Sequence, residues 1–302
     1  MALMAVNDAQ DRDGLLAQAA ALPAGAPIVV MIHGYRYRPG ARDRDPHRHI
    51  LSLAPDPHTR RVVSWPAGLG FTADGPEGLA VALGWPSDGG LRSAYARASD
   101  VGAELASLID RLAVTARRPV ALIGHSLGAR VALAALCRAA PGTVGRLVLL
   151  AAAELRDRAD AAIASPAGLL AEVINVTSRE NDPFDLGFEL ILTAGRGRAL
   201  GFGLSQPRRN WVDVQIDDPA TRAGLAALGF TIDHRPSRAC HWSPYMAPGV
   251  FELYRAALAG PDRLPLRVLR ATLPDHPAPR WSRLLGARAQ SRPAPVSLSP
   301  AA

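Results

Sequence analysis

One short run constrains this chain more than any other. Residues 120–123 read Val-Ala-Leu-Ile, an unbroken apolar segment of the kind that forms a strand buried on both faces. Gly124-His125-Ser126-Leu127-Gly128 follows directly, and then an apolar helical stretch that Pro141-Gly142 ends. A strand that turns this sharply into a helix strains the backbone of its middle residue. Glycines on either side avoid clashes with neighbouring elements, and the turn lifts the central hydroxyl clear with a helix N-terminus aimed at it. The plainer alternative is a glycine-rich connection with a capping serine. The surrounding strand and helix favour a nucleophile at Ser126.

The rest of the chain alternates in the same way. Apolar strand-like runs occur at 28–32, 61–66, 79–86, 146–153, 172–178 and 211–217. Helical periodicity marks 14–22, 91–117, 155–171, 219–228 and 248–259, and Asp45-Pro46 reads as a further helix start. Alternating strands and helices predict an α/β fold with a mostly parallel sheet covered on both faces. Residues 1–27 read as an N-terminal extension, 28–260 as the domain, and 261–302, rich in Pro and Arg, as a tail with little structure of its own. So short a lead-in predicts a sheet without an N-terminal antiparallel hairpin.

Composition narrows the classes. The chain has 302 residues, 48% of them hydrophobic, which suffices for a large core without disulfides or metals. All 34 basic residues are arginine and the net charge is +7. The arginines are dispersed, so GC-rich coding explains them better than a nucleic-acid surface. Cys137 and Cys240 are far apart and lack ligand spacing, so neither a metal nor a cofactor is expected. The acidic N-terminus does not read as a signal peptide, and no uncharged apolar run reaches the roughly 20 residues of a membrane span. The expectation is a soluble cytoplasmic protein acting on a small molecule, its oligomeric state open.

A serine hydroxyl needs a general base to attack at neutral pH. Of eight histidines, His33 sits in a turn, His125 within the pentapeptide, His47, His49 and His58 before the nucleophile, and His276 in the tail. His234 and His241 come after the final strand, and His241, just before a helical segment, is preferred. The acid should follow the strand at 172–178, which favours Asp182, with Asp185 and Glu154 as alternatives. Two backbone N–H groups must receive the developing oxyanion. Leu127, directly after the nucleophile, supplies one. Tyr35, in the His33-Gly34-Tyr35 turn after the first apolar run, supplies the other.

Together these residues carry a likeness. His33-Gly34-Tyr35, Trp85-Pro86-Ser87-Asp88-Gly89, Gly124-His125-Ser126-Leu127-Gly128, Thr177-Ser178-Arg179-Glu180-Asn181-Asp182 and His241 resemble the α/β-hydrolase superfamily, and more narrowly a bacterial α/β-hydrolase group of unknown function. The resemblance spans about residues 28–260 and implies a Ser126–Asp182–His241 triad. The expected activity is acyl-ester cleavage, as in a carboxylesterase or lipase, through an acyl-enzyme. Amide or thioester cleavage, acyl transfer, and a non-catalytic binding protein on the same scaffold are the alternatives. The stretches 66–80 and 184–205 are candidates to flank the pocket.

Overall fold

The computed structural model describes residues 2–7, 12–56, 62–72, 75 and 78–282; His58 and the end of the chain from residue 283 lie outside this set. Seven strands form one sheet in the order β1-β3-β2-β4-β5-β6-β7, and every neighbouring pair is parallel. β1 (Ala2–Asn7) and helix α1 (Arg12–Ala20) precede β2 (Ile28–Ile32), α2 (Trp65–Gly68), β3 (Leu79–Gly84) and the long α3 (Leu91–Ala116). β4 (Val120–His125), α4 (Leu127–Leu136), β5 (Val144–Leu150), α5 (Arg156–Ile163) and β6 (Glu172–Thr177) continue the alternation. α6 (Asp182–Thr193), β7 (Trp211–Gln215), α7 (Pro219–Ala227), α8 (Ser243–Met246), α9 (Val250–Leu258) and α10 (Leu266–Thr272) complete it.

The alternation of side chains along each strand sorts the core into two layers. Val30, Ile32, Leu122 and Leu147 face α1, α3, α4 and α5. Val29, Met31, Ile123 and Val148 face α2, α7, α8, α9 and α10. Both faces are therefore dry, which is why the strands read as continuous apolar runs and not as alternating ones. This is the α/β-hydrolase class of fold. Among the described residues no helix is long and apolar enough to cross a membrane.

Three segments differ from their sequence-based expectation. Ala2–Asn7 pairs in register with Leu79–Gly84, so the sheet begins before residue 28. The run at 61–66 is no strand over its described part. Ser64 caps α2, accepting from the Ala67 N–H at 3.1 Å, and Pro66 sits in the first turn, where its missing N–H costs nothing. Beyond residue 261, Leu264, Leu266, Leu269 and Leu273 are buried in the second layer. What read as a Pro/Arg-rich tail covers the sheet as far as it is described.

The topology also places the site. From β2 the chain moves outward to β3, and from β4 it moves the other way to β5. Adjacent strands whose connections leave in opposite directions open a crevice at their C-terminal ends, the usual ligand position in parallel sheets. The ends of β2 and β4 are His33-Gly34 and Ser126.

Candidate active site

Ser126 lies between β4 and α4 with φ 56° and ψ −122°. The close approach of neighbouring chain explains its two glycines. A Cβ at Gly124 would sit 2.6 Å from the Gly128 carbonyl carbon, and one at Gly128 would overlap the Ile32 carbonyl oxygen. Ser126 is held by its N–H, which donates to Leu150 O at 2.9 Å. Leu127 opens α4, so its N–H has no partner within the helix.

The His33-Gly34-Tyr35 turn lies directly against this elbow. A Cβ at Gly34 would stand 2.8 Å from the Ser126 Cβ. The turn is braced from β3. His33 Nε2 accepts from the Trp85 N–H at 3.0 Å, Trp85 Nε1–H donates to His33 O at 3.1 Å, and Ser87 Oγ–H donates to Gly34 O at 2.8 Å. Burial drives the His33 pKa down to about 3, so the ring stays neutral and accepts at Nε2 while Nδ1–H faces Gly34 O. His33 is a structural strut, and the Trp85–Ser87 motif is its counterpart.

His241 faces the elbow from the loop before α8. Its ring centroid is 4.6 Å from that of His125, and His125 Nε2–H donates to His241 O at 2.9 Å. Burial lowers the His125 pKa to about 4, and Tyr245 packs edge-on against its ring. His125 thus fixes the backbone of the histidine loop. Glu180 fixes it too: Cys240 N–H donates to Glu180 O at 2.9 Å and Ser237 N–H to Glu180 Oε1 at 2.6 Å. His234 ends beside that same carboxylate, with Nε2 3.1 Å from Glu180 Oε1.

The residue beside His241 Nδ1 is not the expected aspartate. Nδ1 lies 2.6 Å from Asn181 Oδ1, at hydrogen-bond distance. Asn181 Nδ2–H in turn donates to Asp185 Oδ1 at 2.9 Å. Asp182, one residue on, is turned inward. Its Oδ2 accepts from the Trp281 N–H at 2.6 Å, and its Oδ1 lies 3.4 Å from the Arg179 guanidinium, both side chains fully buried. The reason is local geometry. A turn of 3-10 helix, Arg179–Asn181, capped by Ser178, follows β6, and α6 starts immediately afterwards at Asp182 with Pro183 in its first turn. Successive residues on a helix point about 100° apart, so Asn181 meets the histidine and Asp182 does not. Glu154 is engaged elsewhere, accepting from Tyr95 at 2.5 Å and Arg130 at 2.6 Å.

Burial and the adjoining His125 hold the His241 pKa well below its ordinary value, and no carboxylate offsets them. Burial raises the Asp185 pKa to about 7 against the pull of Arg179. Phe184, partly exposed on the first turn of α6, stacks on His241 at 5.1 Å. The exposed Leu190 and Ile191 continue along the same helix. Residues 66–71 lie away from the site, packing around Phe251 in the second layer. The arrangement offers a strained serine hydroxyl, a neutral imidazole and a backbone N–H at a helix start. That combination is suited to attack on a carbonyl.

Comparisons with known proteins reach only part of the chain or low similarity. A family described as "Protein of unknown function (DUF726)" matches residues 80–152, from β3 through β5, and so covers the elbow but less than half of the chain. A search of curated proteins finds no match. Among solved structures, the mature form of the Bacillus licheniformis lipase BlEst2 aligns at 15% identity over 64% of this chain and 84% of that one, with a TM-score of 0.37. The propeptide form of that lipase aligns at 14% identity over 53% of this chain, which spans only 37% of its length, with a TM-score of 0.35. A protein from Silicibacter sp. TM1040 assigned as a thioesterase aligns at 18% identity over 82% and 78%, with a TM-score of 0.31. At these scores the fold class rests on this chain's own strand order and elbow.

Proposed function

We propose that this chain is a serine hydrolase that cleaves acyl esters through an acyl-enzyme. Ser126 attacks the carbonyl carbon. His241 takes its proton at Nε2, oriented from Nδ1 by Asn181. The Leu127 and Tyr35 N–H groups receive the oxyanion. The tetrahedral intermediate collapses, His241 returns the proton to the leaving alcohol, and a water attacks the acyl-enzyme by the same route. The observation that carries this reading is Ser126 at φ 56°, pressed under the Gly34 turn at the C-terminal end of the sheet.

The neutral orienting residue favours esters and thioesters over amides. An aspartate would stabilise the imidazolium that forms in each transition state, and an amide side chain does so less. A thiolate leaves with little help from that cation and an alcohol with less than an amine needs, since an amine must be protonated as it departs. The exposed apolar Phe184 stacked on His241 favours an apolar acyl group. A panel of p-nitrophenyl esters of increasing chain length, with wild type, Ser126→Ala, His241→Ala and His234→Ala, tests the assignment. Turnover lost in the first two variants and kept in His234→Ala is expected. Activity that survives in Ser126→Ala overturns it.

A further inference from the structure

A lone asparagine is a poor partner for a catalytic histidine. Its carboxamide presents oxygen or NH2 with nearly equal ease, and the two faces dictate opposite tautomers. With oxygen toward Nδ1, the imidazole carries its proton on Nδ1 and leaves the Nε2 lone pair free to act as base. With NH2 toward Nδ1, the proton moves to Nε2 and the base is lost. Replacing the aspartate of a serine-protease triad by asparagine gives that wrong tautomer, at a cost of about 10⁴ in kcat. An enzyme built on Asn181 therefore needs something to hold the amide one way round.

We propose that Asp185 is that device, a positioning residue which fixes the Asn181 amide and through it the tautomer of His241. The chain of contacts has a single direction. An ionised carboxylate only accepts, so Asp185 Oδ1, 2.9 Å from Asn181 Nδ2, compels the NH2 face toward itself. Asn181 Oδ1 is then left for His241 Nδ1–H at 2.6 Å. The lock is buried and crowded. Asn181 is 2% exposed and Asp185 3%. A Cβ at Gly201 would collide with Asp185 Oδ2, so the carboxylate is wedged between Asn181 and the Gly201 backbone. The Gly201 carbonyl is itself held by Thr177 Oγ1–H at 3.0 Å and by the Arg179 guanidinium.

The inference rests on the serine-hydrolase reading, and it has a readout that does not. The ¹⁵N chemical shifts of the His241 imidazole at pH 8.5 report its tautomer without any substrate. Wild type should show the proton on Nδ1 alone. D185N, nearly isosteric, can donate as well as accept, so a substantial Nε2–H population should appear and kcat on a p-nitrophenyl ester should fall tenfold or more with KM little changed. The exchanged pair N181D/D185N places an acceptor-only carboxylate beside His241 with the amide behind it. It should return to a single Nδ1–H tautomer and recover most of the lost kcat. A residue needed only for packing would not be rescued by that exchange. An Nε2–H tautomer in wild type, or an exchanged pair no better than D185N, overturns the proposal; the first outcome is read even if a variant fails to fold. Inactivity toward esters with an intact Nδ1–H tautomer lost in D185N supports the lock and counts against the hydrolase reading alone.

Discussion

Asn181 and Asp182 are neighbours in the chain, and they part company at the start of α6. One meets His241 at 2.6 Å and the other is committed to Arg179 and the Trp281 N–H. Asn181→Ala is therefore expected to lower kcat by at least about 10²-fold, while Asp182→Asn keeps kcat within about tenfold of wild type; steady-state ester hydrolysis by both variants decides between them. The placement of Ser126 in a strand–helix turn and of His241 facing that turn follows from chain order and a local pattern. The residue beside the histidine was not legible in the sequence. A shift of one position at a 3-10 turn rotates the side chain by about a third of a turn, and a search confined to carboxylates passes over an amide. The pH dependence follows from the same residues. Asp185, raised to about 7, loses its charge as pH falls through that value, and its O–H can then donate and release the amide. His241, held well below its ordinary range, stays neutral there. Activity should fall on the acid side with a midpoint near the Asp185 value, and a kcat profile from pH 5 to 9 checks it.

At the scale of elements, the alternation of strand and helix was readable almost throughout, because strands buried on both faces show as continuous apolar runs. The exceptions have physical causes. Ala2–Asn7 is short and carries few β-branched residues, and its place comes from pairing with β3. Trp65-Pro66 looks like the end of a strand, yet Ser64 and Pro66 together make a helix start. The brace between the β2 turn and Trp85-Pro86-Ser87 joins segments that only the fold brings together. Gly34→Ala places a methyl against the Ser126 Cβ. Since a displacement of about 1 Å at a reacting group costs about 10²-fold, kcat should drop by that order while the circular dichroism spectrum is kept. At the other end of the sheet, Arg146 on β5 pairs with Glu172 and donates to Ala257 O at 2.8 Å and Leu264 O at 2.9 Å. Arg146→Ala removes a buried partner and should lower unfolding free energy by about 3–5 kcal/mol, read by urea denaturation, with kcat unchanged.

Across the whole molecule, the segment after residue 261 links the core beneath the sheet to the helix that carries Asp185. Leu264, Leu266, Leu269 and Leu273 bury themselves under the sheet. Arg280 pairs with Glu189 at 2.7 Å, and the Trp281 N–H reaches Asp182, so this segment holds the outer side of the helix that carries Asp185. Each buried leucine contributes about 1.5–3 kcal/mol, and the sum rivals the whole stability of a domain, about 5–15 kcal/mol. A chain ending at residue 261 should therefore not fold, and its far-ultraviolet circular dichroism and solubility test this. The most direct measurement concerns Ser126 in the intact protein. Incubation with a fluorophosphonate, followed by mass spectrometry, should show a single adduct on the peptide containing Ser126. It should be absent from Ser126→Ala and greatly slowed in His241→Ala. A folded wild-type protein that gains no mass, or gains it at another residue, contradicts the assignment of Ser126 as nucleophile.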